Sequence, residues 1–127
     1  MNKNSKNAGI IVIGNEILSG RTQDLNISYI GKKLEGLGII LSEVAIIPDI
    51  ENDIINKVKA YSERYDYVFT TGGIGPTHDD ITTASIAKAF NVNVVRNKDA
   101  VDRMEKHYQH SKLSEARLKM ADIPEGA

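Results

Sequence analysis

Apolar and polar residues alternate along the chain in two different patterns. Short apolar runs, typical of strands buried in a sheet, occur at residues 9–13, 39–47, 67–71 and 92–95. Between these runs, apolar residues recur at helical spacing, most clearly after residue 26 and after residue 50. Strands that alternate with helices predict an α/β domain with a mostly parallel sheet and helices on both faces.

Glycine and proline mark several boundaries of these elements. Gly38 is placed to end the first helix, and Pro48 ends the second strand because the residue before a proline avoids the helical conformation. The last part of the chain has a charged helical pattern that runs to residue 108 and resumes at residue 114. We expect residues 1–8 to be a flexible terminus and residues 9–127 to form one domain.

Composition narrows the class of protein and its partners. The net charge of -1 and the absence of a basic aromatic patch argue against nucleic-acid or anionic-membrane binding. There is no cysteine and therefore no disulfide framework, which agrees with a cytosolic protein. The first apolar run stops at Gly14, too early for a signal peptide or a membrane span. We therefore expect a cytoplasmic protein with no nucleic-acid or membrane partner.

The turn after the third strand reads TTGGIGPTHDD and contains Gly72, Gly73 and Gly75. Glycines allow successive amide N–H groups to converge on an anion, and the next helix would add the positive end of its dipole. The turn lacks the Gly-Lys-Ser/Thr ending of a Walker loop, and His78 stands where the dinucleotide fingerprint needs glycine. The pattern favours a phosphate or pyrophosphate site, with a purely structural glycine turn as the alternative.

Two carboxylates, Asp79 and Asp80, follow these glycines. One acid would suffice to cap the next helix, but two would repel a phosphate unless a divalent cation lies between them or one of them handles a proton. Thr77, Thr82 and Thr83 could add hydroxyl contacts to a ligand, or serve as turn and cap residues.

The turns after the first two strands carry further candidates. Asn15, Glu16 and Ser19 lie in a thirteen-residue polar connection, which is long for a strand-to-helix link. Glu16 has no evident structural role and is a candidate ligand, whereas Asp24 is placed to cap the next helix. Asp49 follows the second strand, as a helix cap or a site residue.

The segments GNEILSGRTQDLN, VAIIPD, TTGGIGPTHDDIT and KMADIPEGA closely resemble the N-terminal domain of the CinA (competence/damage-inducible protein) family, within the molybdopterin-binding MoaB/Mog superfamily. The resemblance runs in order from about Ile10 to the last residue. It implies a three-layer αβα domain, usually trimeric, whose glycine loop and acidic residues hold a phosphorylated pterin or nucleotide.

The resemblance also implies residue roles. Gly72, Gly73 and Gly75 match the phosphate-binding glycines, with Thr77, Asn15 and Ser19 as further ligand contacts. Asp80 and Asp49 match the acids expected to be catalytic, and Asp80 with Glu16 would hold a divalent metal such as Mg, Mn or Co.

Two reactions are implied by different branches of the superfamily. Mog-type enzymes adenylylate molybdopterin with Mg, and CinA-type domains cleave ADP-ribose-like pyrophosphates with a metal. Mog-type loops commonly have threonine between the glycines and arginine before the aspartate, whereas this chain has Ile74 and Asp79, the CinA-type arrangement. Pyrophosphate cleavage is the leading expectation and adenylyl transfer the alternative.

The family domain continues past the segment PEGA into another strand and a closing helix. The resemblance therefore implies a domain that lacks the C-terminal part of the family domain. A complete family domain is expected to form a trimer, and a truncated one a dimer. A binding module without catalytic activity is a further alternative. A purely structural domain, the third possibility, would show no stabilisation by a ligand.

Overall fold

A computed structural model describes residues 5–74, 81–108 and 113–127. The central sheet has three parallel strands in the order β2-β1-β3. The elements from the N-terminus to the third strand are β1 (Asn7–Ile13), α1 (Asn15–Leu18), α2 (Asn26–Gly36), β2 (Ile40–Ile47), α3 (Glu51–Arg64) and β3 (Tyr67–Thr71). They are followed by α4 (Thr82–Ala89), β4 (Val94–Arg96), α5 (Lys98–His107), α6 (Glu115–Leu118), a 3₁₀ turn (Lys119–Ala121) and β5 (Asp122–Pro124). The expected α/β class with parallel strands is confirmed.

The first strand, β1, forms the centre of the sheet. It pairs with β2 on one edge and with β3 on the other, and every residue from Ala8 to Ile13 is buried. The continuous apolar run was predicted to be buried on both faces, and this is confirmed. The strand begins at Asn7, inside the segment expected to be flexible, because Asn7 and Asp66 exchange two hydrogen bonds of 2.9 Å.

Helix α3 covers one face of the sheet with the apolar stripe that its sequence predicts. Ile54, Val58 and Tyr61 are buried and belong to the same core cluster as Ile11 and Ile13. Burying one such side chain stabilises a fold by about 1.5 to 3 kcal/mol.

The fourth strand differs from the prediction. We expected residues 92–95 to join the parallel sheet, but β4 spans Val94–Arg96 and pairs antiparallel with β5 in a separate two-stranded sheet. Val92 instead continues the end of α4, since its N–H donates to the carbonyl of Ala87 at 2.9 Å. Arg96 then joins the two short strands through a 2.9 Å bond to Asp122.

The amino end of β1 packs against two tyrosine rings. A Cβ atom at Gly9 would lie 2.6 to 2.9 Å from ring atoms of Tyr61 and Tyr65, so only glycine fits there. Tyr65 donates a hydrogen bond to Glu43, which lowers the pKa of that carboxyl. Tyr61 is buried, its hydroxyl has no hydrogen-bond partner among the described residues, and burial raises its pKa to about 12.

We predict that Tyr61→Phe changes the stability of the protein in alkaline solution. The ordinary tyrosine pKa is 10.0 and the folded value is about 12. Ionisation of Tyr61 therefore leaves the free energy of unfolding unchanged below pH 10 and lowers it as the pH rises from 10 to 12, where only the unfolded chain ionises. Because Tyr61→Phe also removes a buried hydroxyl that lacks a partner, it should preserve or raise stability at neutral pH and lose less stability above pH 10.

Urea unfolding across this pH range measures the effect. Tyr29→Phe is the matched control because Tyr29 is 64% exposed. An identical alkaline loss of stability in wild type and Tyr61→Phe would contradict the prediction.

Candidate functional site

The three parallel strands deliver their following turns to one edge of the sheet. β1 ends at Ile13, β2 at Ile47 and β3 at Thr71. The N–H of Gly14 donates to the carbonyl of Ile47 at 3.0 Å and extends the pairing of β1 with β2 by one residue. Ligands of parallel sheets bind at such carboxyl edges, so this is where the predicted site residues should meet.

Asn15 and Asp49 meet at this edge. The side-chain amide of Asn15 donates to Oδ1 of Asp49 at 2.7 Å, although the two residues are 34 positions apart. Asp49 does not cap α3, whose N-cap is Ile50 with no side-chain hydrogen bond. The bond uses one carboxylate oxygen of Asp49, so the other remains to coordinate or accept from a ligand.

The short helix α1 was not predicted from the sequence, and it sets the position of Glu16. The carboxylate of Glu16 turns back onto Gly14, where a Cβ atom would lie 2.6 Å from Oε1. Ser19 is exposed and its hydroxyl is used within this turn, donating to the carbonyl of Glu16 at 3.3 Å and accepting from Arg21 at 3.1 Å. Ser19 therefore orders the turn itself.

The end of the same connection confirms one structural expectation. The carboxylate of Asp24 accepts a 2.7 Å hydrogen bond from the backbone N–H of Ile27 at the start of α2. Asp24 thus caps the first turn of α2 through Ile27, from the position before the N-cap residue Leu25, as its sequence position suggested.

Gly72 and Gly73 lie directly against the end of β1 and the start of α4. Both have positive φ, 86° and 65°, a conformation that glycine adopts without steric cost. A Cβ atom at Gly72 would lie 1.9 Å from the carbonyl oxygen of Ile13, and one at Gly73 would lie 2.1 Å from Oγ1 of Thr82. Close approach and backbone conformation both require glycine at these positions.

Several candidate residues lie outside the described ranges: Gly75, Thr77, Asp79 and Asp80. Their predicted roles in holding phosphate and metal remain predictions. Of the neighbouring threonines, Thr82 and Thr83 are buried, and their hydroxyls contact the carbonyls of Gly72 at 2.8 Å and Asp122 at 3.4 Å. These hydroxyls were candidate ligand contacts, and in the structure they bind backbone.

A mostly apolar cavity of about 500 Å³ lies next to this edge, between α3, β3, α4 and the last residues of the chain. Ile74, Thr82 and Phe90 line it, but Asn15, Glu16 and Asp49 do not. One of its acids, Asp122, is paired with Arg96. The cavity thus provides an apolar surface next to the polar carboxyl edge of the sheet, and the candidate polar residues lie outside it.

The oxygen donors at the edge suit a hard divalent cation. Glu16 and Asp49 contribute carboxylates, the ligand type that Mg and Mn prefer. Within residues 5–74, 81–108 and 113–127, no three His, Asp or Glu side chains group closely enough to hold a metal alone. The donor set present is compatible with a metal that is also bound by substrate phosphates, as is usual for Mg.

Comparison with known proteins decides the family. Residues 9–123 match the family described as the probable molybdopterin binding domain. The chain belongs to this family. A curated protein of Archaeoglobus fulgidus is 42% identical over 118 residues, which cover 93% of this chain and 50% of the relative. One of Pyrobaculum calidifontis is 37% identical over 122 residues, with coverage of 94% and 47%. The chain spans about half the length of these curated relatives.

Solved structures agree with this assignment. The protein CinA of unknown function from Thermoplasma acidophilum is 36% identical with a TM-score of 0.78, covering 97% of this chain and 73% of that one. The tungsten cofactor synthesizing protein MoaB from Pyrococcus furiosus shares the fold, with a TM-score of 0.70 at 21% identity over 86% of this chain and 68% of that one. The predicted resemblance to CinA and to the MoaB/Mog superfamily is confirmed. Within the described part of the chain, no helix is long and apolar enough to cross a membrane.

Proposed function

We propose that this domain binds a phosphorylated pterin or nucleotide at the carboxyl edge of its sheet and, with a divalent metal (Mg, Mn or Co), cleaves the pyrophosphate of an ADP-ribose-like substrate. The observation that carries the proposal is the 2.7 Å bond between Asn15 and Asp49. It joins the turns after β1 and β2 beside the glycines that touch the end of β1. Amide donors and carboxylates thus share one edge, as binding a metal–phosphate group requires.

Each residue type at this edge has a chemical role in the proposal. The turn that contains Gly72 and Gly73 binds phosphate oxygens through its backbone N–H groups, since glycine has no side chain to prevent close approach. Glu16 and Asp80 hold the metal, which when bound would neutralise phosphate charge and lower the pKa of a water molecule. Asp49, oriented by Asn15, accepts a proton from the attacking water.

The reaction adds one water molecule to the substrate. The water oxygen forms a bond to one phosphorus, the bond between that phosphorus and the bridging oxygen breaks, and ADP-ribose yields AMP and ribose 5-phosphate. One proton of the water passes to Asp49 and then to solvent. The glycine turn and the paired Asn15 hold the reacting groups in place while this occurs.

Adenylyl transfer to molybdopterin is the second candidate. The family description and the shared fold of the tungsten cofactor synthesizing MoaB favour a pterin ligand. In that reaction a phosphate of the pterin, rather than water, would attack the nucleotide. A binding module without turnover is the third candidate.

The proposal includes a homo-oligomer, a trimer or a dimer, in the cytoplasm. Among the described residues the outer edge of β3 pairs with no other strand, and its sequence YVFTT carries no charge. Natural proteins usually protect such edges with charge or cover them. Sedimentation velocity at several concentrations would reveal the assembly.

The test of activity is release of AMP. Incubating the protein with ADP-ribose and Mg²⁺, Mn²⁺ or Co²⁺ is expected to form AMP, and EDTA or Asp80→Asn is expected to remove it. Asp99→Asn is the control, because Asp99 lies in α5, an element that provides none of the proposed site residues. Adenylyl transfer is tested in a separate incubation with molybdopterin and ATP. The product measured there is adenylylated pterin, because release of AMP alone would not identify transfer to the pterin.

The outcomes distinguish the three candidates. If no AMP forms but ADP-ribose raises the thermal stability of the protein, the domain is a binding module without turnover. Adenylylated pterin without ADP-ribose cleavage would select the transferase. Neither turnover nor stabilisation by any of these ligands would reject the proposal.

A further inference from the structure

Thr82, the first residue of α4, connects this helix to the glycine turn by two hydrogen bonds. Its hydroxyl donates to the carbonyl of Gly72 at 2.8 Å, and its backbone N–H donates to the carbonyl of Gly73 at 3.2 Å. The side chain is 1% exposed. Thr82 is not the helix cap, since the N-cap of α4 is Ile81 and makes no side-chain cap bond. Its hydroxyl is therefore committed to the turn.

These two bonds determine which way the amides of the turn point. A trans peptide unit directs its N–H opposite to its C=O. Because the carbonyl of Gly72 points to Thr82, the N–H of Gly73 points away from it. The same relation links the carbonyl of Gly73 to the N–H of Ile74. Two successive N–H groups are thus held facing away from α4, the arrangement with which a backbone turn binds an anion.

Thr82 lies so close to the turn that no residue larger than glycine fits at position 73. A Cβ atom at Gly73 would lie 2.1 Å from the Thr82 hydroxyl oxygen. Gly72 is held on its other side by the carbonyl of Ile13. The turn therefore lies between the end of β1 and the Thr82 side chain, and removing the hydroxyl leaves the Gly72 carbonyl without that donor.

We propose that Thr82 is a positioning residue that orients the Gly73 and Ile74 amides towards the phosphate of the ligand without touching the ligand itself. The proposal rests on the proposed function, because it assigns Thr82 a role at that same phosphate site. It separates Thr82 from the two other buried hydroxyls of α4, neither of which bonds to the turn. Thr83 contacts the carbonyl of Asp122 at 3.4 Å, and Ser85 donates to the carbonyl of Ile81 at 2.7 Å.

The experiment compares Thr82→Val, Thr82→Ser and Ser85→Ala. Thr82→Val keeps the shape of the side chain and loses the hydroxyl, Thr82→Ser retains the hydroxyl, and Ser85→Ala removes a buried hydroxyl that makes no bond to the turn. Binding of ADP-ribose is measured by titration calorimetry in EDTA, which is expected to prevent its cleavage. Amide hydrogen exchange at position 82, whose N–H bonds to Gly73, is measured without ligand.

We expect Thr82→Val to weaken binding about tenfold and to speed exchange at position 82 by a similar factor, as loss of one buried hydrogen bond predicts. Thr82→Ser and Ser85→Ala should stay within about twofold of wild type in affinity. Rescue by serine distinguishes positioning by the hydroxyl from a general need for threonine in the core.

Two results would overturn the inference: wild-type affinity in Thr82→Val, or equal losses in Thr82→Val and Ser85→Ala. If wild type itself binds no ADP-ribose, the proposed function is what fails. In that case the amide exchange rates alone test whether the Thr82 hydroxyl holds the turn in place. Faster exchange only in Thr82→Val would support its hold on the turn, and unchanged exchange would reject it.

Discussion

Gly72→Ala is expected to destabilise the fold by about 3 kcal/mol or more and to abolish binding of ADP-ribose at the glycine turn. Gly72 has φ of 86°, where a residue with Cβ costs about 1 to 2 kcal/mol. The added Cβ would also lie 1.9 Å from the backbone oxygen of Ile13. That oxygen belongs to the central strand and cannot rotate away, so β3 or its turn must move and the amides move with it.

Gly20→Ala is the matched control for this experiment. Gly20 has φ of 79°, but a Cβ atom there would meet nothing within 4 Å. It therefore incurs the conformational cost without the collision, and the difference between the two variants isolates the contact with Ile13. Chemical unfolding gives both free energies. Equal losses of stability in the two variants would show that β1 and the turn do not approach closely.

Asp49→Asn is expected to reduce the rate of AMP formation by about 10² to 10⁴-fold, the range for loss of a general acid or base. Asparagine keeps the size of the side chain and can still accept the bond from Asn15, but it cannot take up a proton. Asp49 does not cap α3, so the free energy of unfolding should change by no more than about 0.5 kcal/mol. Activity and stability are thus expected to separate.

Asp53→Asn tests whether the effect belongs to position 49. Asp53 is a nearby acid in the first turn of α3, where it favours the helix dipole by about 0.3 to 1 kcal/mol. Its replacement should cost a little stability and leave the rate of AMP formation unchanged. A rate in Asp49→Asn within about threefold of wild type would remove Asp49 from the catalytic role, given that general acid–base groups contribute far more.

The sequence predicted the sheet well because its signals are local. The run from Ile10 to Ile13 is apolar and β-branched, and it is the strand buried on both faces. The stripe of Ile54, Val58 and Tyr61 recurs at helical spacing and is the face that α3 buries. Each pattern lies within a few residues, so it can be recognised without knowing what packs against it.

The missed features depend on distant partners or on very short elements. We assigned β4 to the parallel sheet because its apolar residues predict a strand without indicating which strand it pairs with. Its actual neighbour is β5, and the paired residues Arg96 and Asp122 are 26 positions apart. Helix α1 has four residues, fewer than periodicity can detect.

At the candidate site, the residue types were predictable but their pairings were not. Asp49 could equally have capped a helix, and only the fold shows that it bonds to Asn15. Thr82 offered a hydroxyl to a ligand as plausibly as to the Gly72 carbonyl. Hydrogen bonds between residues 34 or 10 positions apart have no local sequence signal.

The central position of β1 has a consequence for how the chain is made. β1 is synthesised before its two neighbours, and the strand that covers its second edge, β3, ends only at Thr71. At about 5 to 20 residues per second, the roughly 60 residues from Ile13 to Thr71 take about 3 to 12 s to synthesise. During that interval the uncharged segment AGIIVI is a nascent strand with an open edge and the composition that favours intermolecular pairing. Yield of the protein in cells should therefore depend on chaperones that bind nascent apolar segments more than its final stability would suggest.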